Sequence, residues 1–170
     1  MRSVCREDAN SIYSIYSHRQ SCLDCGVKPL RTFRQTRALM DKMTADRDAF
    51  AIVLKDNMQA VGFISVSKDT HRYNPRRYML GYILAPEYRG QGIMPAAVKK
   101  AMRYAFLNLG ADVVSAACFT GNKASQRVLE KCGFVREGCL RKEFVRYDGQ
   151  VLDSFIYSML YEEYKELYEE

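Results

Sequence analysis

The chain has 170 residues, 48% of them apolar and 27% charged, with only 10 glycines and 4 prolines. That length suits one domain with a sizeable core, and that composition excludes a disordered, collagen-like or low-complexity chain. The net charge is +6, yet five acidic residues crowd into positions 161–170, leaving 25 basic against 15 acidic side chains elsewhere. A basic body suits an anionic ligand. No apolar run approaches the roughly 18–20 residues that cross a bilayer. The opening MRSVCREDANS has no apolar export core, so the expected setting is cytoplasmic with no membrane partner. The cysteines at 5, 22, 25, 118, 132 and 139 then read as reduced thiols. Cys22 and Cys25 form a lone C-x-x-C. With His18 as the one neighbouring histidine, the set falls short of four zinc ligands, and no metal is expected.

In chain order, residues 6–18 read as a helix with Ala9, Ile12, Ile15 and Tyr16 on one face. Residues 21–31, with Gly26 and Pro29, read as a loop. Thr32 is placed to cap a second helix reaching Thr44, with Phe33, Leu39, Met40 and Met43 as its apolar side. Residues 49–55 and 60–67 read as strands joined at Asp56-Asn57 into a hairpin. Residues 68–76 are a polar loop, and 77–84 form a third strand stopped by Ala85-Pro86. Gly90-Gln91-Gly92 opens a helix with Pro95 in its first turn. Ala97, Val98, Ala101, Met102, Ala105, Phe106 and Leu109 make its apolar stripe, and Gly110 stands at its C′ position. Residues 112–119 read as a buried strand. Asn122 caps a short helix that Gly133 ends. Phe134-Val135 opens the next strand, and 140–147 and 151–160 flank the hairpin turn Asp148-Gly149.

The predicted order is two helices, three strands, helix, strand, helix and two strands. One strand–helix–strand unit in an otherwise antiparallel set gives a mixed α/β sheet, an α+β arrangement. It lacks the repeated βαβ units of a doubly wound nucleotide fold.

The chemistry concentrates in Leu80–Met94, LGYILAPEYRGQGIM. A strand feeds a glycine-bearing loop and then a helix start. Free N–H groups and the positive end of the macrodipole make such a start an anion site, and Arg89 adds charge. Neither G-x-x-x-x-G-K-[ST] nor G-x-G-x-x-G is present. Gly90-x-Gly92 alone equally suits a tight strand-to-helix turn.

Arg89-x-x-Gly92-x-Met94 resembles the acyl-CoA pyrophosphate loop, [Q/R]-x-x-G-x-[G/A], of the GNAT superfamily of N-acetyltransferases. The later Asn122-Lys-Ala-Ser125 and Leu129-Glu-Lys-Cys-Gly133-Phe134 match in order and spacing. Together with Pro86-Glu-Tyr-Arg-Gly-Gln-Gly they look most like the RimJ/RimL branch, which acetylates ribosomal-protein N-termini. The resemblance is strongest over 77–160. Met94 departs from it by replacing a small residue, while still presenting its backbone N–H. The family also begins with a strand, for which only Met1–Val4 is available here.

The resemblance implies a single GNAT domain over 1–170, a mixed and mostly antiparallel sheet flanked by helices, with acetyl-CoA as cosubstrate. It implies backbone groups of Ile83 and Leu84 for pantetheine. Arg89, Gly90, Gln91, Gly92, Ile93 and Met94 offer N–H groups for the pyrophosphate. Asn122 is a cofactor contact as well as a cap. Ser125 is both a cofactor contact and the donor toward the departing sulfur. Glu143 follows as the candidate general base, because a primary amine is mostly protonated at pH 7. Its alternative is a solvent-facing strand glutamate beside Arg141 and Lys142. The oxyanion donor is a backbone N–H near Leu84. Tyr157 and Tyr147 are further candidates for an acid toward sulfur. Asp153 is a candidate for orienting substrate.

The implied reaction is direct attack of a primary amine on acetyl-CoA in a ternary complex. Cys118 and Cys132 lack an activating neighbour in sequence, which speaks against a thiol intermediate. The rival is a noncatalytic acyl-CoA-binding module. The basic residues are scattered and carry no nucleic-acid-binding signature, so no nucleic-acid partner is expected. The acceptor is a protein N-terminus or a small amine, and strand 151–160, read as an edge, leaves room for a homodimer.

Overall fold

Residues 49–84 form the meander that their hydrophobic pattern predicts. In the computed structural model, which describes residues 1–168, seven strands make one sheet. They are β1 (Arg2–Ser3), β2 (Ala49–Val53), β3 (Ala60–Lys68), β4 (Arg77–Leu84), β5 (Val113–Phe119), β6 (Val135–Val145) and β7 (Val151–Leu160). The spatial order is β1-β2-β3-β4-β5-β7-β6. Only β4 and β5 pair in parallel, and they need the crossover helix between them. Six helices flank the sheet: α1 (Ala9–Ser17), α2 (Arg19–Cys25), α3 (Phe33–Ala45), α4 (Ile93–Leu107), α5 (Lys123–Lys131) and α6 (Tyr161–Tyr168). The mixed, mostly antiparallel α/β sheet is the expected fold.

The core has two layers. On one face the stripe Ala97, Val98, Ala101, Met102 and Ala105 of α4 packs on Val61, Ile64, Leu80 and Val114. Each large side chain so buried contributes about 1.5–3 kcal/mol. On the other face Ile12 and Ile15 of α1 and Met40 of α3 cover Ala51, Phe63 and Ile83. Thr32 caps α3 as the sequence indicates, with a reciprocal Gln35 side chain closing a capping box.

Several elements differ from the sequence reading. Residues 19–25 are helical, so the loop is confined to 26–32. His18 caps α2 by accepting from Ser21 N–H, and Gly26 ends it at φ 71°. Phe33 is 62% exposed, and Thr36 takes the buried place expected for it on α3. Gly110 lies past the C′ position, because α4 stops at Leu107. Residues 161–168 of the glutamate-rich tail form α6. Tyr164 stacks on Phe106 at 4.8 Å, and Tyr168 Oη donates to Cys132 O at 3.1 Å. The opening strand exists as the two residues of β1, paired with Phe50 and Ala51. Finally, β7 is no edge: it lies between β5 and β6, and β6 is the outer strand.

The feature that positions the site is a divergence. The β4–β5 ladder runs from Arg77↔Val113 to Leu80↔Ala116 and then stops. Residues 81–84 stay bonded to β3. The sheet therefore opens beside the carboxyl end of β4, where α4 begins. Parallel strands place ligands at such carboxyl ends.

Candidate active site

From β4 the chain passes through a single 3-10 turn, Pro86–Tyr88, into the glycine loop. Gly90 and Gly92 both have φ 76°, a region that costs other residues about 1–2 kcal/mol. A Cβ at either would meet nothing within 4 Å, so these glycines serve the backbone dihedral and face open space. The first bond into α4 is Ala96 N–H to Gly92 O. Pro95 has no N–H. Among the described residues, the amides of Gly90, Gln91, Gly92, Ile93 and Met94 find no protein acceptor. Five adjacent free donors at a helix start form an anion cradle. Arg89 differs from expectation here, because its own amide is used by Pro86 O at 3.1 Å. Met94 sends its side chain into the core at 5% exposure, which leaves its amide at the rim.

The Arg89 guanidinium is held by α2. It donates to Ser21 Oγ at 2.6 Å, reaches Asp24 Oδ2 at 3.5 Å and donates to Leu84 O at 3.4 Å. The helix absent from the sequence reading thus fixes the cation of the loop. Arg127 and Lys131 of α5 also line the cleft. Their spacing of four from Lys123 is the sequence signal that could have found them.

The cleft itself, about 310 Å³, runs from the cradle to the divergence of β4 and β5. Peptide groups alternate along a strand. Tyr82 and Leu84 turn theirs toward the cleft, their carbonyls accepting from Cys25 Sγ at 3.5 Å and Arg89 Nε. Ile83, expected beside Leu84 as a backbone contact, faces β3 with its peptide groups and the α1 layer with its side chain. Asn122 Oδ1 accepts from Ser125 N–H at 3.1 Å, and its Nδ2 donates to Asp24 O at 3.2 Å. It is both a cap and a lining residue. Ser125 Oγ and Tyr82 Oη are hydrogen-bonded at 2.7 Å.

A second cavity, about 440 Å³, lies under α1 and α3. It shares Cys25, Tyr82 and Ile83 with the first, so the two meet at the divergence. Its walls are Tyr16, Val27, Leu39, Met43, Phe63 and Ile64, with Lys42, Asp46, Ser65 and Ser67 as polar members.

Glu143 lines neither cavity. Its Oε2 accepts from Ser154 Oγ at 2.7 Å, and its Oε1 faces His71 Nε2 at 3.2 Å. Register shifts at Arg136/Gly138 and Leu140/Phe144, with Lys142 at φ 53°, set its face. A one-residue slip reverses a strand's faces, and sequence spacing does not count bulges. Tyr157 is fully buried and donates to Glu130 at 3.2 Å; burial pushes its hydroxyl up to about 12. Tyr147 lines neither cavity, and Asp153 accepts from Lys142 N–H. Burial also pushes the thiol of Cys118 up, to about 11.

The acetyltransferase (GNAT) domain family matches residues 1–135. An uncharacterized N-acetyltransferase of Bacillus subtilis, YoaA, is 26% identical over 94% of this chain and 92% of its own. The spermidine N-acetyltransferase of Vibrio cholerae, solved with CoA and spermine, superposes with a TM-score of 0.79 at 24% identity, covering 96% and 95% of the two chains. The ribosomal-protein-S5-alanine acetyltransferase of Vibrio fischeri gives 0.76 at 25% identity over 97% and 92%. Among the described residues no helix is long and apolar enough to cross a membrane. A free-amide cradle at a helix start, beside a sheet that splays into a cleft, suits acetyl-CoA. With the family match, it makes this chain a member of the GNAT family of acetyl-CoA-dependent N-acetyltransferases.

Proposed function

We propose that the chain acetylates a primary amine carried on an uncharged, largely apolar body, as in the RimJ/RimL branch and its protein N-termini. The observation that carries this reading is the meeting of the two cavities at Cys25, Tyr82 and Ile83. The amides of Gly90 to Met94 hold the pyrophosphate, with Arg89, Arg127 and Lys131 adding charge around it. The pantetheine arm follows the splayed end of β4, and Leu84 N–H is the oxyanion donor. The acceptor enters the second cavity. There, among the described residues, Asp46 is the one carboxylate and Lys42 carries the opposite charge, while Tyr16, Leu39, Met43 and Phe63 give apolar walls. Such a wall favours an apolar side chain and gives a polycation little to pair with.

Attack is direct, in a ternary complex. A thiol held as high as that of buried Cys118 stays protonated near pH 7 and is a poor nucleophile. The test is a thiol-release assay with acetyl-CoA and three acceptors: a peptide beginning with alanine, phenylethylamine and spermidine. The peptide or phenylethylamine is expected to exceed spermidine in kcat/KM by at least about tenfold, a difference of about 1.4 kcal/mol. A preference for spermidine overturns the acceptor assignment. Binding of acetyl-CoA without turnover on any amine favours the noncatalytic module.

A further inference from the structure

Transfer of an acetyl group from sulfur to nitrogen moves one proton the same way. The amine nitrogen loses it and the departing thiolate gains it. The usual device is a carboxylate or imidazole at the reacting centre, yet the residues common to both cavities are Cys25, Tyr82 and Ile83. Of the carboxylates nearby, Asp24 lines only the first cavity and Asp46 only the second. Asp24 faces Arg89 and accepts from Gln20 Nε2 at 2.8 Å, and Asp46 Oδ1 accepts from Asp48 N–H at 2.9 Å. Tyr82 remains, with its hydroxyl 2.7 Å from Ser125 Oγ.

We infer that Tyr82 and Ser125 form a two-hydroxyl proton relay that carries the amine proton across the divergence of β4 and β5 to the sulfur of CoA. The inference rests on the acetyl-transfer reading above. The acceptor reacts as its neutral amine, the ammonium proton having gone to solvent beforehand; the nitrogen lone pair then forms the N–C bond and the C–S bond breaks with its electron pair on sulfur. The surplus N–H proton goes to Tyr82 Oη, the Tyr82 proton to Ser125 Oγ, and the Ser125 proton to the thiolate. Both hydroxyls are restored, and no oxidant, metal or permanent ionisation is needed. Burial holds the Tyr82 hydroxyl above the ordinary phenol range, which keeps it a neutral donor. Two different elements set the pair. Tyr82 projects from the splayed end of β4, and Ser125 sits one turn into α5, its amide pinned by Asn122. Tyr82 therefore has a role that the sequence motifs do not mark.

The experiment compares wild type, Tyr82→Phe, Ser125→Ala and the double variant. Calorimetry measures acetyl-CoA binding, and thiol release gives kcat, KM and the solvent deuterium isotope effect with the best acceptor. A relay predicts that Tyr82→Phe lowers kcat about 100-fold, within the range for general acid–base catalysis. It predicts acetyl-CoA affinity within about twofold of wild type, since the phenyl ring keeps its place. The double variant should be no slower than the worse single, because broken links in one chain do not multiply. The proton inventory should be curved in wild type and linear in Tyr82→Phe. Full kcat in Tyr82→Phe, multiplicative losses in the double variant, or a loss confined to binding overturns the relay and leaves the acetyl-transfer reading standing. Wild type that binds acetyl-CoA and turns over no amine overturns both.

Discussion

Two polar regions of this molecule contrast. At the open end of β4, five consecutive amides from Gly90 to Met94 lack protein acceptors among the described residues, and Arg127 and Lys131 line the same cleft. Beneath loop 69–76, polar groups are cross-paired instead. Asp69, 1% exposed, accepts from Ser115 Oγ at 2.6 Å and from His71 N–H at 2.8 Å. Arg72 bridges Asp69 and Glu137, Ser158 Oγ donates to Glu137 at 2.8 Å, and Ser154 and His71 meet Glu143. Polar groups that the fold satisfies hold the fold, whereas donors left open at a surface are free for a ligand. By that criterion the open amides of the glycine loop are available to a ligand, while Glu143 is held by Ser154 and His71 outside both cavities.

Substitutions sharpen the contrast. The largest effect is expected for Gly92→Trp, which puts a bulky side chain on the loop and strains its backbone at φ 76°. Losing two amide–phosphate bonds at roughly 1.5–2 kcal/mol each weakens acetyl-CoA about 100-fold or more. Calorimetry should show this while far-UV circular dichroism stays that of wild type. Retained micromolar binding would make the loop a plain structural turn.

A stability effect of similar size, with no binding effect, is expected at the other region. Asp69→Ala removes the buried acceptor of Ser115 Oγ and His71 N–H and the ion pair to Arg72, leaving Ser115 only Tyr78 O at 3.3 Å, and should cost about 2–3 kcal/mol in urea denaturation. Acetyl-CoA affinity should stay within about twofold, because distant sites act independently. A loss of affinity as large as that of Gly92→Trp would merge the two regions into one site.

The smallest effect is expected for Glu143→Gln, which keeps an acceptor for Ser154. Steady-state kcat/KM should change by less than about threefold. General bases contribute about 100-fold or more, so a fall of that size with binding intact would restore Glu143 to the chemistry.

The two regions were unequally legible in the sequence. The loop from Leu80 to Met94 reads from residue order alone, because glycine dihedrals, a helix start and Pro95 are local properties. Asn122 as a cap and Ser125 one turn later read in the same way. The clamp on Arg89 does not. It comes from α2, whose seven residues are too short to show a hydrophobic period and whose cap is a histidine rather than Ser, Thr, Asp or Asn. The placement of Glu143 outside both cavities was illegible for a related reason. Its strand carries two register shifts, and a bulge changes which face a residue takes without changing local composition. Helix α6 was hidden by its glutamates, although Tyr161, Tyr164 and Tyr168 fall on one helical face.

Local chemistry in the sequence thus determined the mixed sheet, the glycine turn that opens α4, the capped helix after β5 and, through family resemblance, acetyl-CoA-dependent N-acetyl transfer as the class of reaction. Tertiary structure alone decided the partnerships between distant segments. It brought Tyr82 to Ser125, Ser21 and Asp24 to Arg89, and the two cavities to a common wall. The physical reason is that dihedral preference and capping act within a few residues. Hydrogen-bond partners across the sheet depend on register and on where β4 leaves β5, which only the packed chain establishes.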